Sequence, residues 1–210
     1  MPKKILITDD HPAMRNGVKM VVSSVLSDVE FGEARNAAEA ERLLREKDWD
    51  VLILDMDMPG RSGLDVLQLM HNEAIKVPTL VFSLHAEEQI AVRVMKLGAW
   101  GYLSKDSADQ ELGEAIRSLL SGRKYITSSL AGLLATYLSN PENKPPHELL
   151  SDKEYQTLLM IGKGKTISLI AEELCLSPST ISTFRARILE KMNMKNNGEL
   201  IKYVVDNKLI

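Results

Sequence analysis

The chain has one cysteine, Cys175, so it can form no internal disulfide and no thiolate zinc cluster. Between Leu174 and Leu176, that thiol is expected in a core rather than in a reactive role. No apolar run approaches the roughly 18 residues that a membrane span needs. The opening MPKKILITDDHP has too short an apolar stretch for a signal peptide, and acids follow it at once. A cytoplasmic protein with no membrane partner is expected. Internal repeats and low-complexity tracts are missing too. So is a strong charge: the net is −3, and charge alone cannot establish nucleic-acid binding.

What is present suggests two domains. A length of 210 residues accommodates one large domain or two small ones, and 44% hydrophobic content is ample for cores. The charge is uneven. Residues 1–125 hold 16 Lys and Arg against 20 Asp and Glu, whereas residues 151–210 hold 9 against 7. An acidic part joined to a mildly basic part implies two different tasks.

The first part alternates short apolar runs with helical patterns. The runs are Ile5–Ile7, Val29–Phe31, Val51–Leu54, Leu80–Phe82 and Tyr102–Leu103. Continuous apolar character in the central ones predicts strands buried on both faces. Between them, Met14, Val18, Val21, Val22 and Val25 share a helical face, as do Leu112, Ala115, Ile116, Leu119 and Leu120. Five β–α repeats with short connections predict an α/β fold, a parallel sheet with helices on both sides. Trp49 and Trp100 are expected to pack rather than to contact a ligand. Residues 126–147 are expected to join the domains, with a helix over 128–139. The polar, proline-bearing stretch Asn140–Pro146 marks an exposed linker.

Asp9 and Asp10 stand where the first predicted strand ends, Asp55 where the third ends, Ser83 after the fourth and Lys105 after the fifth. In a parallel sheet these positions share the carboxyl edge, where ligands bind. With strand order 2-1-3-4-5, the three acids converge. Three carboxylates in a small site stay ionised only beside a cation, and a hard, oxygen-seeking ion such as Mg²⁺ fits. A carboxylate there can attack phosphorus. The ammonium of Lys105 can neutralise a transferring phosphoryl group, and Ser83 can hydrogen-bond its oxygen. A lone Asp at a strand end is usually a turn residue; the set of five carries the functional reading.

ILITDDHP, VLILDMDMPGRSG, LVFS and GAWGYLSKDS resemble the receiver domain of response regulators, a flavodoxin-like (βα)₅ fold, over about residues 3–122. The resemblance implies that Asp55 is the phosphoacceptor, that Asp10 ligates Mg²⁺ directly and that Asp9 assists through water. It implies a metal contact from the Asp57 backbone carbonyl, a Ser83–Tyr102 switch pair, and Lys105 as the phosphate-binding lysine. Lys105 is followed by Asp106 where many receivers carry proline, a pair common in receivers attached to LuxR-type domains.

Residues 148–210 are helical throughout. Ser151-Asp152-Lys153-Glu154 is a capping box, and Gly162 and Gly164 close the helix it opens. A short helix over about Thr166–Leu174, the turn Cys175–Pro178 with an N-cap serine and N1 proline, and a third helix make a helix-turn-helix. A fourth helix begins near Asn197. Such a pair lays its second helix in the major groove of DNA. Thr180, Ser182, Thr183, Arg185, Ala186 and Arg187 are then available to bases, and Lys163, Lys165, Lys191 and Lys195 to the backbone. The stretch 149–207 resembles the LuxR-type helix-turn-helix of NarL/FixJ-family regulators, which implies a reading helix at about Ser179–Lys191. Within it Ser182 stands where lysine is frequent, and Phe184 replaces a frequent histidine or tyrosine.

Together these resemblances imply a two-component regulator. A sensor histidine kinase would supply the phosphoryl group, double-stranded promoter DNA would be the target, and the phosphorylated or DNA-bound form would be a homodimer. Leu200, Ile201, Val204 and Val205 supply either core or a dimer face. A phosphatase reading rests on Asp55-Met56-Asp57, but such enzymes carry that motif on an early strand, with an acid pair late. Here the pair Asp9-Asp10 comes first. A scaffold that binds DNA constitutively is the third reading, and the intact acid pocket argues against it.

Overall fold

The computed structural model describes residues 1–84, 87–139, 145–207 and 209–210. The expected linker stretch at 140–144 lies outside them. The chain divides into two compact units, Met1–Ala135 and Thr136–Ile210. That division falls inside the expected joint at 126–147.

The first unit is built on five parallel strands: β1 (Lys3–Thr8), β2 (Val29–Ala34), β3 (Val51–Asp55), β4 (Thr79–Ser83) and β5 (Gly101–Ser104). Their order is β2-β1-β3-β4-β5, the doubly wound arrangement expected from the β–α repeats. The connecting helices are α1 (Pro12–Val25), α2 (Ala37–Glu46), α3 (Gly63–Asn72), α4 (Glu87–Lys96) and α5 (Ala108–Leu120). β3 and β4 are buried along their whole length. β2 is half-exposed, as an edge strand is.

Strand register sorts the side chains. Neighbours paired in a parallel sheet point to the same face, and successive residues alternate. The pairs Ile7↔Ile53, Ile53↔Leu80 and Phe82↔Leu103 therefore line one face, with Val18 and Val22 of α1 and Leu112, Ile116 and Leu119 of α5 packed on it. Leu6, Leu52, Leu54, Val81 and Tyr102 point to the other, all fully buried. Continued one step past β1 and β5, the first set runs to Asp9, Asp55 and Lys105. The second runs to Ser83.

Both tryptophans pack. Trp49 lies over Gly32 on β2 and donates its Nε1–H to Leu43 O at 3.0 Å. Trp100 sits against the α1/α5 core. After α5 the chain returns beside β5, Tyr125 N donating to Trp100 O at 2.9 Å. Helix α6 (Ser128–Ser139) follows, matching the helix expected at 128–139.

The second unit holds α7 (Asp152–Gly162), α8 (Ile167–Glu173), α9 (Pro178–Lys191) and α10 (Asn197–Asp206). The caps read from sequence are in place. Ser151 and Glu154 form the capping box, and Ser177 Oγ accepts from Thr180 N at 3.1 Å with Pro178 opening α9. Leu158, Ile170, Ile181, Ile188, Leu200 and Val204 make the core, and Gly162 lets α7 approach Val204 closely. Cys175 corrects an expectation: it is exposed. It takes φ 53° to end α8 and turn the chain toward α9. That left-handed step turns its side chain outward while Leu174 stays in the core. Among the described residues no helix is long and apolar enough to cross a membrane.

A Cβ on Gly32 would lie 2.1 Å from Trp49 Cη2, and the rigid, buried indole cannot yield without leaving its site. Gly32→Ala should lose about 1–3 kcal/mol. Urea unfolding in a Trp100→Phe background should show it, with red-shifted native emission from Trp49.

Candidate functional site

Short turns at the carboxyl ends of β1, β3 and β5 bring the expected pocket together. Lys105 Nζ lies 2.8 Å from Asp9 Oδ2 and 2.9 Å from Asp55 Oδ2. Its side chain crosses Phe82, with Nζ 5.8 Å from the ring centroid. Asp9, Asp55 and Lys105 are almost wholly shielded, and Asp10 is partly open. Asp57 is an exposed residue whose backbone N–H donates to Asp55 Oδ1 at 3.3 Å. Ser83 and Tyr102 are fully buried, so Tyr102 occupies an inward position. Peptides among the described residues are trans, the one after Lys105 included.

The electrostatics follow from the crowding. Burial pushes the Asp55 carboxyl above the ordinary carboxylate value, and neighbouring Asp9 adds to this, while Lys105 opposes it. Burial works against the Lys105 ammonium, but its pairing with the Asp9 and Asp55 carboxylates prevails and raises it. Asp9, Asp10, His11 and Asp55 each offer a ligand atom, all within 4.8 Å of one another. Asp10 Oδ1 and Asp55 Oδ2 are buried atoms without an aligned hydrogen bond, each with a nitrogen beside it at 2.9 Å, from His11 and Lys105 respectively. Oxygen donors of this kind fit a hard divalent cation.

Three contributors carried no role in the sequence reading. His11 caps α1, and its backbone N–H donates to Asp9 Oδ1 at 2.7 Å. Arg15 is buried and donates to Asp9 O at 2.8 Å. Gly63 opens α3 against the backbone of Asp55: a Cβ there would lie 2.4 Å from Asp55 O. The serine-glycine pair in DMDMPGRSG was the available signal for Gly63.

In the second unit, Ser179, Ser182, Thr183, Ala186 and Arg187 are exposed on α9 at helical spacing, one continuous stripe. Thr180 is half-buried beside Ser177, Oγ to Oγ1 2.8 Å. Other expected DNA contacts have partners inside the unit. Arg185 Nε donates to Asn197 Oδ1 at 2.5 Å, Lys165 pairs with Glu173 at 2.5 Å, and Lys191 reaches the buried Glu154 carboxylate at 2.6 Å. Lys163 and Lys195 lie on the exposed surface. On α10, Leu200 and Val204 face the core while Ile201 and Val205 are exposed.

Comparison with known proteins agrees with both halves. Residues 5–117 match the response regulator receiver domain, and residues 148–204 match the bacterial regulatory proteins of the luxR family. The response regulator UvrY of Escherichia coli (strain K12) is 35% identical over 206 residues, covering 98% of this chain and 94% of UvrY. The response regulator GacA of Pseudomonas aeruginosa is 31% identical over 208 residues, covering 99% and 97%. Among solved structures, RcsB from Salmonella enterica serovar Typhimurium, bound to promoter rprA in the presence of the phosphomimetic BeF3−, superposes with a TM-score of 0.70. Its identity is 22%, and the match covers 98% of this chain and 99% of that one.

Glu154 ties the start of α7 to the end of α9. Its carboxyl stands below the ordinary glutamate value; burial opposes this, and Lys191 and Ser151 overcome it. A lowered folded value means that its contribution is present above the ordinary glutamate range and fades as pH falls through the folded value. Glu154→Gln should cost about 1–2 kcal/mol at neutral pH and flatten the acid limb. Thermal melts between about pH 6 and pH 3, followed by a dye on Cys175, would read this.

Proposed function

The chain belongs to the NarL/FixJ family of two-component response regulators, and from that premise we propose that Asp55 accepts the phosphoryl group and that the exposed stripe of α9 reads DNA. As a member of that family it is a phosphorylation-controlled, DNA-binding transcription regulator. The observation that carries the assignment of Asp55 is its place under Lys105, whose ammonium bridges it to Asp9.

The donor is a phosphohistidine of a sensor kinase. An Asp55 carboxylate oxygen attacks phosphorus, the P–N bond breaks, and the imidazole leaves with the electron pair and takes up a proton. Asp55 is left as a mixed anhydride carrying the phosphoryl group. Lys105 is already held beside the nucleophile and meets the arriving oxygens with no reorganisation. Asp9, Asp10, Asp55 and the main chain of Asp57 would hold Mg²⁺. When bound, that ion supplies charge neutralisation on the phosphoryl oxygens. Ser83, at the tip of the neighbouring strand, donates a hydrogen bond from its hydroxyl to an oxygen of the new group. The resulting preference for one arrangement of Ser83 and Tyr102 is what shifts the population toward the DNA-binding form.

At the operator, Ser182, Thr183 and Ala186 face base edges and Arg187 meets guanine or phosphate. Thr180 and Ser179 flank them at the helix start. Lys165, Arg185 and Lys191 contact DNA by giving up or sharing their partners within the unit. Two copies meet through Ile201 and Val205 when phosphorylated or DNA-bound, which sets reading helices about 34–36 Å apart. The promoter lies in the cytoplasm, and so does the protein. It acts as a DNA-binding regulator, and the order of its acids, with the Asp9-Asp10 pair on the first strand and Asp55-Met56-Asp57 on the third, is the reverse of that in a phosphatase.

Acetyl phosphate with Mg²⁺ should add about 80 Da, one phosphoryl group, to the intact chain. Asp55→Ala should abolish the adduct, and an adduct that persists in that variant would remove the assignment. Arg187→Ala should weaken operator binding by about 1–3 kcal/mol in footprinting and lower the salt slope, with phosphorylation intact. Equal affinity of the variant and the parent chain would exclude Arg187 from the interface.

A further inference from the structure

Helix α1 opens against the usual electrostatic preference. The N-terminal end of a helix carries partial positive charge and favours acids. The first turn of α1 contains none, and its N-cap His11 makes no side-chain capping bond. Instead the first turn buries a guanidinium, that of Arg15, which is 6% exposed. A buried cation at that place costs free energy unless it is well paired.

Its partners are specific. Nη1 donates to the backbone carbonyl of Asp9 at 2.8 Å, and Nε donates to Glu33 Oε2 at 2.8 Å. Glu33 stands on β2 in register with Ile7, two residues before Asp9. Lys19, one turn further along α1, also pairs with Glu33. Asp9 is held at its other polar groups too. Its N–H donates to Ala34 O at 3.1 Å, and its carboxylate receives His11 N and Lys105 Nζ. The Asp9 carbonyl belongs to the peptide that joins Asp9 to Asp10, and a peptide is a rigid plane. Clamping the carbonyl therefore sets the direction from which Asp10 leaves.

We infer that Arg15, braced by Glu33, is a positioning residue for the cation site: it fixes the Asp9–Asp10 peptide so that both carboxylates face the pocket. The inference rests on the reading of that pocket as a Mg²⁺ and phosphoryl site. Groups behind a metal's ligands commonly change metal affinity about 10–100-fold when removed. A bare charge would act the other way, since an unbraced guanidinium near the acids would repel a divalent cation. The sign of the effect separates the two roles.

The test uses the full chain. Mg²⁺ dissociation constants come from calorimetry, and half-saturating Mg²⁺ and plateau rates from labelling with acetyl phosphate. Arg15→Met should raise the dissociation constant and the half-saturating concentration about tenfold, with the plateau rate within about twofold. Glu33→Ala should move them in the same direction, about threefold, and Glu33→Gln, whose amide oxygen still accepts from Nε, should stay near the parent chain. A lower melting temperature with unmoved Mg²⁺ affinity would make Arg15 purely structural and overturn the inference, as would tighter binding. Should Arg15→Met fail to fold, Glu33→Ala decides, and an unchanged dissociation constant there overturns it. A parent chain that binds no Mg²⁺ sinks the pocket reading and the inference together, whereas parent binding with unmoved variants sinks the inference alone.

Discussion

The ammonium of Lys105, held between Asp9 and Asp55, is the interaction on which the first unit's chemistry depends. It draws together the ends of β1, β3 and β5, which would otherwise bring buried carboxylates into mutual repulsion. The formal charges of the side chains bear on the proposed Mg²⁺ site. Asp9, Asp10 and Asp55 bring three negative charges, Lys105 returns one, and two remain for a divalent ion. Burial raises Asp55, so its ionised form is the strained one until further positive charge arrives. On the proposed reading, a phosphoryl group on Asp55 would bring about −1.5 to −2 further charges to be met there by Lys105 and the cation.

Much of this was legible in the sequence because it follows from local patterns. Continuous apolar runs such as Val51–Leu54 identify strands buried on both faces, and a carboxylate or lysine straight after such a run must lie at the sheet's edge. The caps at Ser151 and Ser177 are equally local. Contacts between distant positions were not legible. Arg15 and Glu33 are 18 residues apart, and Lys191 and Glu154 are 37 apart. No periodicity links them. Cys175 was misread for a related reason. Its apolar neighbours suggest a core, but the left-handed backbone that ends α8 decides where the thiol points.

The second unit shows how tertiary pairing edits a basic surface. Three of the cations expected to face DNA have partners within the fold: Lys191 with Glu154, Lys165 with Glu173, and Arg185 with Asn197. What α9 presents to solvent before the exposed Glu190 and Lys191 at its end is a stripe of small hydroxyl and methyl groups with Arg187. Such a surface recognises base edges and thymine methyls more than it attracts phosphate. It agrees with the small positive excess of residues 151–210.

The alternation of side chains along the strands has a consequence for how this fold can vary. Asp55 shares a face with Ile53 and Phe82, while Leu54 and Ser83 belong to the other. Deleting one residue from β3 would invert every assignment downstream of the cut. The carboxylate would then enter the layer that Leu54 now fills, and Met56 would confront the lysine. The tips of the sheet can therefore be reshaped only by changes in the loops beyond them, and the spacing from Val51 to Asp55 is a length the protein is not free to alter.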